Sequence, residues 1–317
     1  MRPLALTALL TALTACAPLS SPLMNPCTPQ EIEANPYLGF DLVSPQGWIY
    51  QSYTFTPPPI FSEGDLAFAL ELRSVLANHG TELIVVPVPN KPAVAAAEAA
   101  FDPAAVRAKY LREVAGLRGR YFTVVDVLTP ALTHWTDPET GLNFYPRTDS
   151  HWTTSGAKLI AEQVGEVIRR SPQYASMPKI DYQLASQPTT RLGNLGAQLN
   201  KYCAAHFLPE PERAYTVSKP EQHLDLLAPL RTPVAVAGTS FSSVEEMHFA
   251  DFIGAATRLE VVNYSESGGG KFLGLLNFLK SENFKDNPPS FLVWEFPNNY
   301  GPLQDDELQQ LRAALHR

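Results

Sequence analysis

The 317-residue chain has no uninterrupted apolar run of about 18 residues, the length that a membrane-spanning helix needs. Positive charge is scarce. There are 24 Lys and Arg against 32 Asp and Glu, the net charge is −8, and no basic run exceeds two residues. Nucleic-acid binding depends on clustered cations, so it is not expected. Among the seven histidines there is no His-x-x-x-His pair and no Cys/His cluster, so no metal site is expected. No glycine-rich stretch has Walker or dinucleotide spacing, and no other cofactor is expected. Charged residues make up 18% and hydrophobic residues 45%, which excludes disorder throughout. Cysteine occurs three times, at Cys16, Cys27 and Cys203. What stands in excess is proline, with 29 residues against a usual share of about 5%.

The N-terminus reads MRPLALTALLTALTAC. Arg2 is a short positive region, and Leu4 to Leu13 is an apolar stretch of signal-peptide length. The stretch runs directly into Leu13-Thr14-Ala15-Cys16, which resembles a bacterial lipobox cleaved before Cys16, with lipid attached to its sulfur. The other reading is an ordinary secretory signal cleaved nearby. Residues 1–15 are therefore expected to be a signal peptide and residues 16–36 a Pro/Ser/Asn-rich tether, with one catalytic domain over 37–317. Either form of export permits disulfides, and Cys27 and Cys203 are the remaining pair, expected to be bridged.

Apolar, β-branched runs at 81–88 (TELIVVPV), 121–127, 233–237, 258–264 and 291–296 (FLVWEF) read as buried strands. Helical patterns at about 64–78, 102–117, 153–170, 271–281 and 305–316 alternate with them. Alternation of this kind predicts an α/β fold with a mostly parallel sheet between helices. Residues 171–232 read as an irregular, loop-rich insertion.

Two places carry candidate chemistry. Gly238-Thr239-Ser240 lies where a buried strand ends, the edge at which parallel sheets hold their sites. Serine is a weak nucleophile without a base, and the base needs an orienting group. His151 is the candidate base because Asp149 stands two positions before it. Taken alone, Asp-x-His also reads as a helix cap beside a surface histidine, and Gly-Thr-Ser as a turn that satisfies its own backbone. The turn Ser267-Gly268-Gly269-Gly270 precedes a helix and offers amides to an anion or oxyanion; otherwise it is a flexible turn.

The ordered set GWIY (47–50), LIVVPVPNKP (83–92), FYPRTDSHWTTSGA (144–157), GTSFS (238–242), SGGG (267–270) and VWEFPNNY (293–300) resembles the AlgX/AlgJ group of alginate O-acetyltransferases, a branch of SGNH-hydrolase-like proteins. The resemblance covers roughly residues 45–300. Ordinary SGNH enzymes place the serine first, whereas here Asp149 precedes Ser240 by 91 positions, the permuted order of this branch. The resemblance implies an SGNH-like three-layer sandwich and a triad of Ser240 (nucleophile), His151 (general acid/base) and Asp149 (orienting acid). It further implies an exported, lipid-anchored enzyme facing the periplasm that acetylates polysaccharide hydroxyls through an acetyl-serine. A membrane-bound acyltransferase partner would supply the acetyl group. Oxyanion donors are expected from the amides of Ser240, Gly269 and Gly270. Tyr145, Arg147, Trp152 and Tyr300 are expected at the substrate, with Trp48 as a further stacking surface. Two other readings stand beside this one: an acetyl-esterase with the same triad, and a non-catalytic glycan-binding lipoprotein.

Overall fold

The computed structural model describes residues 23–95, 101–219 and 232–317. The segment that resembles a lipobox, with Cys16, lies outside the described residues. Nine strands are present among them: β1 (Asp41–Val43), β2 (Ile49–Gln51), β3 (Glu82–Val88), β4 (Thr123–Val124), β5 (Gln183–Arg191), β6 (Glu210–Ser218), β7 (Val234–Ala237), β8 (Val261–Asn263) and β9 (Phe291–Pro297). Five of them form a parallel sheet in the order β4-β3-β9-β7-β8. The last strand of the chain is therefore the middle strand of the sheet. Every residue of β9 is buried. Successive side chains of a strand point to opposite faces, so both faces of the sheet are covered. Helices Glu63–Asn78, Leu273–Lys280 and Asp305–Leu315 form one packed group, and helices Thr154–Arg170 and Phe249–Thr257 another. This is the three-layer α/β fold that the sequence predicts.

Local chemistry explains the elements nearest the site. The Thr153 side chain caps helix Thr154–Arg170 by accepting from the Gly156 amide. Ile160, Ala161, Val164 and Ile168 form the helix's buried stripe, and Arg169 and Arg170 close its negative end. Trp152, just ahead of the cap, is completely buried, and its indole donates to the Phe241 carbonyl at 3.1 Å. One helix start thereby ties the Asp149–His151 segment to the turn that follows β7.

Register does the rest. Ala237 of β7 pairs with Trp294, and Val88 of β3 pairs with Pro297. The segments leaving β3, β7 and β9 emerge together at the carboxyl edge of the sheet. Asn298 donates its amide to Val88, and the Asn90 amide donates to the Asn298 side chain at 2.9 Å.

Two expectations are corrected. Residues 171–232 are not mainly loop: β5 and β6 pair antiparallel over nine residues each, and helix Asn194–Tyr202 lies between them. Residues 220–231 lie outside the described residues. The segment expected as a tether is docked from residue 24 onward. Met24 pairs with Val43, Pro29–Ala34 is helical with a Thr28–Glu31 capping box, and the Asn25 side chain donates to Leu38. The Cys27–Cys203 disulfide is present, and it lies against Leu38, Ile49, Leu195 and Leu199. Composition suggested a free segment, but a bridge and a small apolar cluster outweigh it.

Candidate active site

The turn after β7 begins with Gly238, where a side chain would run into the Glu295 carboxylate and Ser242. Gly274 is the matching gap on the neighbouring helix, because a Cβ there would fall on the Gly238 backbone. Two glycines thus let a helix and a carboxylate close on one turn. Thr239 caps the short helical turn Ser240–Ser243. Ser240 stands at its first position, where a helical amide has no partner inside the helix.

Across the cleft, His151 Nε2 lies 2.9 Å from Ser240 Oγ. His151 Nδ1 lies 2.8 Å from Asp149 Oδ1, which also accepts the His151 amide at 2.8 Å. The segment is a bend, not extended strand, and an Asx-type turn holds the two side chains together. Asp149 is 1% exposed. Burial works against its charge, but the His151 hydrogen bonds together with the His151 and Arg191 charges outweigh burial and hold the carboxyl well below its usual range. An ionised carboxylate only accepts, so Nδ1 carries the proton and the Nε2 lone pair is left for the Ser240 hydroxyl.

The β5–β6 unit supports this acid. Arg191 donates to Asp149 Oδ2 at 2.6 Å, and the Asn194 amide, at the start of helix Asn194–Tyr202, donates to the same oxygen at 3.2 Å. Glu210 accepts from the Arg147 and Thr148 amides and from the Thr148 hydroxyl. Lys91, 5% exposed, donates to the carbonyls of Arg147 at 2.7 Å and Asp149 at 3.0 Å, with Trp48 and Tyr50 flanking its ammonium. Burial pulls the Lys91 pKa down to about 7, against the opposing pull of Asp149 and Glu210.

Behind Ser240 sits Glu295, fully buried on β9. It accepts from the Thr239 amide at 3.0 Å, the Thr239 hydroxyl at 3.1 Å and the Ser242 hydroxyl at 2.6 Å. Burial pushes its pKa up to about 7 against these hydrogen bonds.

The residues expected at the substrate divide. Tyr300 lines the cleft at Ser240, a space of about 260 Å³. Burial, with Glu295 nearby, raises its phenol pKa against an opposing pull from the Ser240 side chain, so Tyr300 stays a neutral phenol beside Ser240. Tyr145 also lines the cleft, but its hydroxyl is committed to the Pro89 carbonyl at 2.7 Å. Trp152 is corrected to a core residue packed on Phe241 and Phe249, and Trp48 to a buried neighbour of Trp135. Arg147 is exposed and lies 3.5 Å from Glu210, and it is not part of the cleft lining. Of the glycine turn, Gly268 reaches this cleft, while Gly269 and Gly270 line the adjoining space. No group of three or more His, Cys, Asp or Glu suited to a metal occurs among the described residues. Sequence reasoning did not single out Glu295 or Lys91, although a lone acid inside FLVWEF and a lysine at the end of a buried strand were signals of buried polar function.

A family model described as SGNH hydrolase-like domain, acetyltransferase AlgX, matches residues 42–298. The chain is 30% identical to the alginate biosynthesis protein AlgX of Pseudomonas syringae pv. tomato over 77% of its own length and 52% of that protein. It is 27% identical to the probable alginate O-acetylase AlgJ of Pseudomonas fluorescens, over 82% of the chain and 68% of the relative. Among solved structures, Pseudomonas aeruginosa AlgX superposes with a TM-score of 0.75 at 25% identity, covering 88% of this chain and 68% of that one. The O-acetyltransferase domain of Pseudomonas putida AlgJ gives 0.69 at 21% identity, covering 86% and 99%. A five-stranded parallel sheet, the Asp149–His151–Ser240 order and these matches agree: the chain belongs to the AlgX family of SGNH hydrolase-like acetyltransferases.

Proposed function

We propose that this protein is an exported, lipid-anchored polysaccharide O-acetyltransferase that carries acetyl on Ser240. The observation that carries the reading is the unbroken hydrogen-bond chain from Ser240 Oγ through His151 to the buried Asp149. In the first half-reaction Ser240 Oγ attacks the donor's acetyl carbonyl while His151 Nε2 takes the hydroxyl proton. The proton passes to the leaving group as the donor bond breaks, giving acetyl-Ser240. In the second, a sugar hydroxyl attacks the ester, His151 takes its proton, and the proton returns to Ser240 Oγ as that bond breaks. Asp149, held ionised with the help of Arg191, stabilises the imidazolium formed in each half. The Ser240 amide and the neutral Tyr300 hydroxyl are the donors for the oxyanion.

Acetyl-CoA is cytoplasmic, so a membrane-bound acyltransferase partner delivers the acetyl group to this side of the membrane. The Cys27–Cys203 bridge fits an oxidising compartment, and Cys16 would supply the anchor. Incubation with an acetyl ester should add one acetyl group to Ser240, detected by peptide mass spectrometry, and Ser240→Ala should lose both the adduct and glycan acetylation. Retained acetylation in Ser240→Ala overturns the reading. Loss of membrane fractionation in Cys16→Ala tests the anchor separately.

A further inference from the structure

The cleft at Ser240 does not end at Tyr300. Gly268 and Tyr300 also line a second compartment of about 580 Å³, bounded by Gly269, Gly270, Gly301 and Gln304. The second space lies within the usual size range of ligand sites, and the first lies just below it. The surroundings of the second are anionic. Glu307 lines it, Asp305 and Asp306 are exposed on the same helical turn, and exposed Glu266 leads into the glycine turn. The cations at hand are engaged. Lys271 is 4% exposed and paired with Asp65 at 2.5 Å, and Lys91 is held by two carbonyls. Among the described residues, neither lining holds another Lys or Arg.

We propose that the acetyl acceptor is a glycan chain without carboxylates, laid from Ser240 past Gly268 and Tyr300 into this second compartment. The inference rests on Ser240 as the acetyl carrier. The uncharged polar side chains along the path include the amides Gln51, Asn194, Asn299 and Gln304 and the phenols Tyr53 and Tyr300. Such groups both donate to and accept from sugar hydroxyls. A polyuronate would instead bring a carboxylate on every ring against the acidic rim, with no unpaired Lys or Arg among the described residues of either lining to offset it, and like charges brought together suppress a partner.

The test follows the fate of the acetyl group. The full chain is charged with p-nitrophenyl acetate, and loss of acetyl from Ser240 is timed by mass spectrometry with neutral oligosaccharides (mannopentaose among them) or with the mannuronate pentamer of the same linkage. Mannopentaose and the mannuronate differ only in the carboxylate. A neutral chain should discharge the enzyme and gain acetyl about tenfold faster than the mannuronate, and Asp305→Asn with Asp306→Asn should narrow that gap. A Cβ at Gly301 meets nothing within 4 Å, so Gly301→Trp can project into the compartment, and a melting temperature matching the parent's checks that the fold is kept. The substitution should lower the rate ratio of pentamer to dimer about tenfold, as expected for loss of a subsite worth that factor. Discharge by mannuronate as fast as by any neutral chain, or no discharge beyond that by water, overturns the proposal. Absence of any adduct on Ser240 instead overturns the reading beneath it.

Discussion

Glu295 is a carboxylic acid that the fold holds near its titration point at neutral pH. Its pKa rises from the ordinary 4.5 to about 7, with burial as the main cause. Below about pH 4.5 the folded and unfolded chains both hold the proton. Between 4.5 and 7 only the folded chain keeps it, so this residue's contribution to stability falls as pH rises through that window and is level above it. Lys91 has the opposite sign: its folded pKa is about 7 against 10.5, so its contribution rises between those values. Glu295→Gln keeps acceptors for Thr239 and removes the charge. Its melting temperature relative to the parent should therefore climb from pH 5 to pH 8, followed by thermal denaturation across a pH series; parallel curves would refute a buried ionisation at Glu295. At Tyr300 the prediction concerns rate. Tyr300→Phe removes the hydroxyl proposed as an oxyanion donor and should lower kcat for acetyl transfer by about 10²-fold with little change in KM. An unchanged kcat would remove Tyr300 from the oxyanion site. Legibility at this scale followed chemistry in short range. Asp149-x-His151 and Gly238-Thr239-Ser240 were visible as motifs, whereas Glu295 and Lys91 act through partners more than 50 positions away.

Elements were legible where burial imposed a pattern. β3, β7 and β9 are apolar runs because both faces of the sheet are covered, and helix Thr154–Arg170 shows its stripe because one side meets a core. β5 had no such signal. Gln183 to Thr190 are all exposed, Pro188 interrupts the run, and its ladder is made with β6 alone. Yet this pair positions Arg191, Glu210 and Glu212, the polar groups around Asp149 and the start of the next helix. Close approach at its far end is tight, since a Cβ on Gly193 would fall on the Thr148 carbonyl and the Asp149 amide. Gly193→Ala must then displace the segment that carries Asp149. The expected cost is about 1–3 kcal/mol of stability from overpacking, together with a drop in kcat. Urea denaturation and esterase assays on the same sample separate the two, and full activity at wild-type stability would show that the turn yields without moving the acid.

At the scale of the whole molecule, the disulfide and the acid are joined by one helix. Helix Asn194–Tyr202 offers its first amide to Asp149, and its C-terminal cap is Cys203, which is bonded to Cys27. Leu195 and Leu199 press the same helix onto Leu38 and Ile49, so the N-terminal segment clamps it from the side. The cysteine pairing was legible from export and an even remainder; its connection to Asp149 was not, because no pattern marked the helix between them. Opening the bridge frees a loop of 176 residues in the unfolded chain, for which the entropy model gives about 5 kcal/mol. It also leaves helix Asn194–Tyr202 free to shift, and with it one of the two donors that share Asp149 Oδ2. Cys27→Ser with Cys203→Ser should therefore lose several kcal/mol in denaturant titration. Below its melting range the variant should also show a reduced kcat and faster amide exchange at Asn194. A normal kcat in the folded variant would confine the bridge to stability. A kcat restored when the helix is tightened elsewhere would tie the loss to the position of Asp149.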